Sequence, residues 1–372
     1  MTYKLLFDEH FLQSRNAYWT ATEICQQPDV WKQSADQIDR LKNEINTFLQ
    51  PLLSQQPLRI ILTGAGTSAY IGEVLAPYLS YVLQRQVEAI STTDIVSNPQ
   101  QYLIAEIPTL LISYGRSGNS PESVAAYNIA NQVIKQCFHL IITCNESGEL
   151  AVKSKGNHNA FTLLMPASSL DQSFAMTSSF TVMLASTLYL FTESRQQLEQ
   201  AAKAAEHCIS ALPASIKSIS ENQSQRVVFL GSGALQGFAK EAALKVLELT
   251  AGELISYSES PLGFRHGPKS IVTPSTTIIV MASDSPYTLG YDKDLVDELV
   301  NDGIAKDIIV LDKNTFGQKE SLSEPWAGLA YIVYCQIYAF YCSLQKDISP
   351  DNPCPTGEVN RVVQGVTIYS LK

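Results

Sequence analysis

The chain is poor in the residues and patterns that mark metal, disulfide or nucleic-acid proteins. Its seven cysteines (Cys25, Cys137, Cys144, Cys208, Cys335, Cys342 and Cys354) are odd in number, form no CxxC pair and sit mostly in apolar segments. They read as reduced, buried thiols of a cytoplasmic protein. The five histidines are scattered, with no HxxxH or HExxH spacing, so no metal site is expected. Positive charge is scarce: 26 Lys and Arg stand against 36 Asp and Glu, a net charge of -10. A nucleic-acid role has no electrostatic support at that balance, and no Lys/Arg run suggests a membrane surface. The first ten residues turn acidic too early for a signal peptide. No low-complexity segment is found. Two stretches, 172–192 and 325–345, lack charge for 21 residues each, which is membrane-span length. The first carries many Ser and Thr and the second Pro325, Gln336 and several tyrosines, so both are expected as buried helices of a large core.

What the chain does have is an internal repeat. Arg59-Ile60-Ile61-Leu62-Thr63-Gly64-Ala65-Gly66 corresponds, 167 residues later, to Arg226-Val227-Val228-Phe229-Leu230-Gly231-Ser232-Gly233. At the same offset Leu110-Leu111-Ile112-Ser113 matches Thr277-Ile278-Ile279-Val280, and Leu140-Ile141-Ile142-Thr143 matches Asp307-Ile308-Ile309-Val310. Short apolar strands alternating with helix-length segments imply a parallel sheet covered on both faces. Two such units in tandem imply a duplicated α/β fold, each unit a three-layer αβα sandwich. The 372 residues suit two domains. The expected division is an N-terminal helical extension over 1–41, a first domain over 42–192, a charged, alanine-rich connecting helix over 193–215 and a second domain over 216–372. Thr20-Ala21-Thr22-Glu23 has the pattern of a capping box opening a short helix.

Two loops of the first half look suited to an anion. After the run Leu110-Leu111-Ile112-Ser113 comes Tyr114-Gly115-Arg116-Ser117-Gly118-Asn119-Ser120, and Pro121-Glu122 then opens a helix. Proline suits a first helical turn, and a helix start offers unpaired N–H groups and partial positive charge. Ser117, Asn119 and Ser120 can add donors, although an ordinary turn also favours these residues. The second loop, Gly64-Ala65-Gly66-Thr67-Ser68-Ala69, fits the loose dinucleotide pattern GxGxxA. Neither Glu88 nor Asp94 falls convincingly where a ribose-binding acid belongs, so a dehydrogenase is a minor reading. Two adjacent loops at the C-terminal edge of one sheet suit one compact phosphate better than a dinucleotide. In the second half Gly231-Ser232-Gly233 is kept, but Ser283-Asp284-Ser285-Pro286 replaces the later loop, so phosphate binding is expected in the first half alone.

Acid–base candidates cluster in the second half. Along Lys240-Glu241-Ala242-Ala243-Leu244-Lys245-Val246-Leu247-Glu248-Leu249, Glu241, Lys245 and Glu248 share one helical face. From spacing alone a solvated face with an i,i+4 ion pair is the favoured reading. The functional alternative makes Glu248 a general base whose charge environment Lys245 sets. The loop Ser258-Glu259-Ser260-Pro261-Leu262-Gly263-Phe264-Arg265-His266-Gly267-Pro268-Lys269 is dense in reactive types. His266 stands there as either an exposed surface residue or an acid–base group.

The two glycine/hydroxyl loops, Glu248 and Arg265-His266-Gly267-Pro268 together resemble the sugar isomerase (SIS) domain family, notably the tandem isomerase half of glucosamine-6-phosphate synthase. The opening Thr20-Ala21-Thr22-Glu23-Ile24-Cys25-Gln26-Gln27-Pro28-Asp29-Val30-Trp31 is similar to that of the AgaS group. So is the tail Asp351-Asn352-Pro353-Cys354-Pro355-Thr356-Gly357-Glu358-Val359-Asn360-Arg361-Val362-Val363-Gln364-Gly365-Val366. That group is described as galactosamine-6-phosphate deaminase/isomerase and formerly as tagatose-6-phosphate ketose/aldose isomerase. The resemblance implies that Gly66, Thr67 and Ser68 line a sugar-phosphate site and that the loop with Arg116, Ser117, Gly118, Asn119 and Ser120 grips the phosphate. It implies that Glu248 moves a proton between C1 and C2, that Lys245 accompanies it, and that His266 assists ring opening. It further implies a hexosamine or hexose 6-phosphate substrate and a homodimer or higher homo-oligomer, and the acid–base chemistry that follows requires no metal or redox cofactor. The synthase has a lysine in its C-terminal tail where Gln364 stands here, and this chain has no glutaminase half, which favours ammonia release. The competing expectations are an aldose–ketose isomerase of a non-amino sugar phosphate and a non-catalytic sugar-phosphate regulator. Against the regulator, the chain shows no helix-turn-helix or basic segment.

Overall fold

The computed structural model describes residues 3–371 and contains nine strands in two parallel sheets. The first sheet comprises β1 (Arg59–Thr63), β2 (Val87–Ala89), β3 (Thr109–Gly115), β4 (Cys137–Thr143) and β5 (Ala160–Leu164), in the order β2-β1-β3-β4-β5. The second comprises β6 (Arg226–Gly231), β7 (Ile255–Glu259), β8 (Thr276–Met281) and β9 (Asp307–Leu311), in the order β7-β6-β8-β9. β3 and β8 are buried at every position, which is why their sequences read as continuous apolar runs and not as alternation.

The repeat is visible in strand pairing. Arg59 pairs with Thr109 in the first sheet, and Arg226 pairs with Thr276 in the second. The third match needs a correction. Ile112 pairs with Leu140, whereas Ile279 pairs with Ile309. The last strand is therefore shifted by two residues relative to the 167-residue offset, because the loop before the Pro286–Asp302 helix and that helix itself differ in length from their first-half counterparts.

The chain forms two compact units that are not consecutive in sequence. The first-sheet unit takes Val30–Leu170, Ser178–Glu193 and the residues from Glu358 onward. The second-sheet unit takes the residues up to Asp29, Asp171–Thr177 and Ser194–Gly357. The alanine-rich stretch between the repeats is helical over Arg195–Ala211 and belongs to the second-sheet unit.

Each uncharged stretch forms a core helix. In the first-sheet unit, Ser178–Thr192 tolerates its polar residues because their hydroxyls are hydrogen-bonded, some one turn back and some to another helix. Ser186 and Thr187 hydroxyls donate one turn back to the carbonyls of Val182 (2.6 Å) and Met183 (2.8 Å), and Thr181 Oγ1 accepts from Trp31 Nε1 at 2.9 Å. In the second-sheet unit, Glu324–Gln345 is long and apolar enough to cross a membrane by length and composition, yet every residue from 325 to 343 is buried inside the protein. It packs closely on the Ala234–Leu249 helix: a Cβ at Gly328 would fall 2.1 Å from the Phe238 ring, so only glycine fits there. All seven cysteines are free thiols, and burial pushes Cys25 up to about 11 and Cys137 and Cys342 up to about 12.

The capping-box reading of 20–23 is overturned. The helix is long, Tyr18–Arg40, and its start is capped from 331 residues away. Asp351 accepts from Trp19 N (3.0 Å), Thr20 N (2.7 Å) and Thr20 Oγ1 (2.7 Å). A tertiary cap frees Glu23 for another task. Its carboxylate, 3% exposed, accepts from the backbone N–H groups of Gln172 and Ser173 and from the Ser173 hydroxyl. Asp171, also buried, accepts from Thr177 N at 2.8 Å. Burial, followed by repulsion from Asp171, raises Glu23 to about 8.

A raised folded-state pKa means that this stabilising contribution is whole below the ordinary carboxylate value and is lost as pH rises toward 8. Glu23→Gln should therefore become progressively more favourable relative to the parent between pH 5 and 8, by at most about 1.4 kcal/mol per pH unit. Urea midpoints of both proteins across that range measure it, and a difference independent of pH would refute the assignment.

Candidate active site

Each sheet presents two loops at its C-terminal edge, on either side of the point where strand order reverses. That crevice is where open α/β sheets bind ligands. In the first-sheet unit the loop after β1 is a tight turn. A Cβ on Gly64 would lie 2.5 Å from the Ser68 carbonyl carbon, and Gly66 has φ 56°, a conformation that favours glycine. The Thr67–Leu83 helix starts directly, with Thr67 and Ser68 both 5% exposed.

The second loop, after β3, leads into the Pro121–Val133 helix with proline in its first turn. The loop is held from outside. Asn145 Nδ2 donates to Ser117 O (2.9 Å), Leu150 N to Gly118 O (3.0 Å) and Glu149 N to Asn119 Oδ1 (2.8 Å). Within it, Asn119 N donates to Ser117 Oγ (3.2 Å), and Ser120 Oγ donates to Ser123 Oγ (2.7 Å). The side-chain oxygen of Asn119 is thus a strut, and its amide nitrogen is the group left to meet a ligand. Ser117 and Ser120 are half-buried and Gly118 is buried at φ 65°. Arg116 is 6% exposed, and its Nη2 donates to the carbonyl of Arg361 at 2.7 Å. One guanidinium nitrogen therefore holds the C-terminal tail beside this loop, a connection with no signal in the sequence.

The second-sheet unit repeats the framework with different occupants. Gly233 has φ 56° and ψ -125°, against 56° and -128° at Gly66. The donors here already serve the protein's own carboxylates. Asp292 accepts from Ser283 N (2.9 Å) and Ser232 Oγ (3.3 Å), and Glu324 accepts from Ser283 Oγ (2.5 Å). Asp292 is 1% exposed, and burial raises its pKa. Asp284, the acid visible in the sequence, is joined by two that helices bring in from elsewhere.

The Ala234–Leu249 helix brings Glu241, Lys245 and Glu248 together, and the expectation of a solvated face fails. Glu241 and Lys245 are fully buried; only Glu248 reaches the surface, with 24% of its side chain exposed. Lys245 Nζ stands 3.3 Å from Glu241 Oε1 and bonds Glu248 Oε2. Burial pulls the Lys245 pKa down, but the two carboxylates outweigh it and the ammonium is held above its usual value. The face is buried because the helix packs on its neighbours β6 and β7 and on the Glu324–Gln345 helix; spacing within the helix does not record what covers it, and the last of these elements is distant in sequence. His266 is exposed on a turn after the short Pro261–Phe264 helix, and its imidazole has no hydrogen-bond partner among the described residues. No bond within the unit ties it to Glu248.

This architecture has known counterparts. The SIS domain profile matches residues 52–193. A D-galactosamine-6-phosphate deaminase AgaS from Shewanella sp. (strain ANA-3) is 51% identical over 98% of this chain and 95% of its own length. The chain belongs to the AgaS family of SIS-domain proteins. Another AgaS deaminase, from Escherichia coli, is 45% identical over 94% of this chain and 95% of its own. The crystal structure of tagatose-6-phosphate ketose/aldose isomerase from Escherichia coli superposes with a TM-score of 0.85 at 43% identity, over 95% of this chain and 96% of that one.

Removing the buried cation should be costly. Lys245→Met leaves the Glu241 charge buried without its counter-ion, and a stability loss of about 3–5 kcal/mol is expected. Adding Glu241→Gln should recover much of it. Denaturant unfolding of the single and double variants checks this, and additive losses would show that the two groups do not interact.

Proposed function

We propose that the protein is an amino-sugar-phosphate deaminase/isomerase that converts galactosamine 6-phosphate, or a close hexosamine 6-phosphate, to a ketose 6-phosphate (tagatose 6-phosphate) and ammonia. The observation that carries this reading is the partly exposed Glu248 carboxylate set on a buried Lys245–Glu241 pair, in a chain about half identical to AgaS deaminases along nearly its whole length.

The chemistry needs one base that serves two carbons. The pyranose opens with help from His266. Glu248 removes the C2 proton of the open 2-amino aldose, giving an enaminol. The proton returns at C1, giving a C2 imine, and water hydrolyses the imine to the ketose and ammonia. Lys245 fixes the Glu248 carboxylate and the local charge. Gly66, Thr67, Ser68 and the 116–120 loop anchor the phosphate, supplying binding energy remote from the reacting carbons. The family reading also carries a homo-oligomer and a cytoplasmic location.

One observation favours a second reading. The Escherichia coli structure that this fold matches is described as a ketose/aldose isomerase, and C1–C2 proton transfer by the same base would serve a non-amino hexose 6-phosphate. Ammonia release from galactosamine 6-phosphate separates the two. Steady ammonia formation is expected, falling about 10²–10⁴-fold in Glu248→Gln. Interconversion of galactose 6-phosphate and tagatose 6-phosphate without ammonia release would instead establish the plain isomerase, and unchanged turnover in Glu248→Gln would remove the proposed base.

A further inference from the structure

The imidazole of His266 has no bonded partner to aim it, so its direction depends on the backbone that carries it. That backbone is fixed at both ends by one face of the Pro286–Asp302 helix. Before the turn, Phe264 is fully buried in a cluster with Leu295 and Leu299 of that helix; after it, Ile271 and Val272 pack on the same cluster. Between these apolar anchors the residues on both sides of His266 carry positive charge, and Glu298 takes both. Arg265 Nε donates to Glu298 Oε2 at 2.7 Å, and Lys269 Nζ donates to Glu298 Oε1. Asp302, one turn on, holds Lys269 again at 2.6 Å. Leu295, Glu298, Leu299 and Asp302 follow the i, i+3, i+4, i+7 spacing of a single helical stripe. Gly267, at φ 118°, makes the sharp turn that this clamp spans.

We propose that Glu298 is the positioning residue for His266: by bridging Arg265 and Lys269 it fixes the turn that presents the imidazole to the substrate. The ion pairs are partly exposed, with 25–35% of each side chain open to solvent, so their worth to global stability is small. Their effect is on geometry, where a small misplacement has a large kinetic consequence. The proposal rests on the acid–base reading of His266 given above.

The test measures ammonia release from galactosamine 6-phosphate by the full chain carrying Glu298→Gln, His266→Ala, or both. Glu298→Gln should lower kcat about tenfold or more with little change in KM. Hydrogen exchange of the 265–270 amides should quicken while the unfolding midpoint stays near that of the parent. The double variant should be no slower than His266→Ala alone, because a misplaced and an absent imidazole are equivalent. Glu298→Asp keeps the charge but cannot span both cations, and should fall between parent and Gln. Parental kcat in Glu298→Gln, or losses that multiply with His266→Ala, would overturn the proposal while leaving His266 in place. Full turnover in His266→Ala would overturn the role of His266 itself, and this inference with it; failure of all variants for lack of a Glu248-dependent reaction would instead be read from the Glu248→Gln control.

Discussion

A lysine ammonium with no exposed surface dictates the arrangement of the second-sheet unit. Lys245 can stay charged there only because Glu241 lies 3.3 Å below it and Glu248 receives it above. Two carboxylates for one cation leave a net negative charge, and the stack directs it outward: Glu241 is sealed in, and Glu248 alone meets solvent. The helix that carries all three must then be surrounded closely enough to exclude water, which the Gly328–Phe238 contact accomplishes. A polar device of this kind is a poor source of stability compared with well-packed apolar residues. What it leaves at the surface is one carboxylate, Glu248, bonded to a buried counter-charge.

The duplicated frame shows how one architecture yields two different edges. The turns at Gly66 and Gly233 agree in φ and differ by 3° in ψ, so the backbone geometry that could offer N–H groups to a ligand is present twice. What differs is the company. In the first-sheet unit the 117–119 turn is braced by neutral groups, chiefly Asn145 and the backbone of Glu149 and Leu150. In the second, Asp292 and Glu324 take the donors of Ser232 and Ser283. A phosphate arriving there would meet two carboxylates and no free hydroxyl of that pair. Divergence of the halves therefore came from side chains on neighbouring helices as much as from the loops themselves.

Much of this was legible in the sequence because it is local. Buried parallel strands leave apolar runs, a glycine-hydroxyl turn follows each first strand, and the repeat placed β1, β3, β6 and β8 correctly. Three of the misses share one physical cause, which is that the decisive partner lies far along the chain. Glu23 looked like a capping residue until Asp351 proved to be the cap. Glu241 and Lys245 looked like a solvated pair because spacing records which residues share a face and not what covers it. Arg116 gave no hint of Arg361. The two-residue slip of β9 has a different origin: a compensating change in loop and helix length leaves the strand intact while moving its register, and a fixed offset is blind to that.

The net charge of -10 bears on how an anionic substrate is held at all. The net charge of the chain offers an anionic sugar phosphate no overall attraction, which puts the weight on donors at contact distance. That favours a loop whose geometry is set before the ligand arrives, and the struts from Asn145, Glu149 and Leu150 do this without adding charge. It also accounts for the burial of Arg116. A guanidinium tied to the tail carbonyl of Arg361 contributes its field to the loop at a fixed place, whereas a free arginine would be drawn toward the carboxylates that dominate the surface.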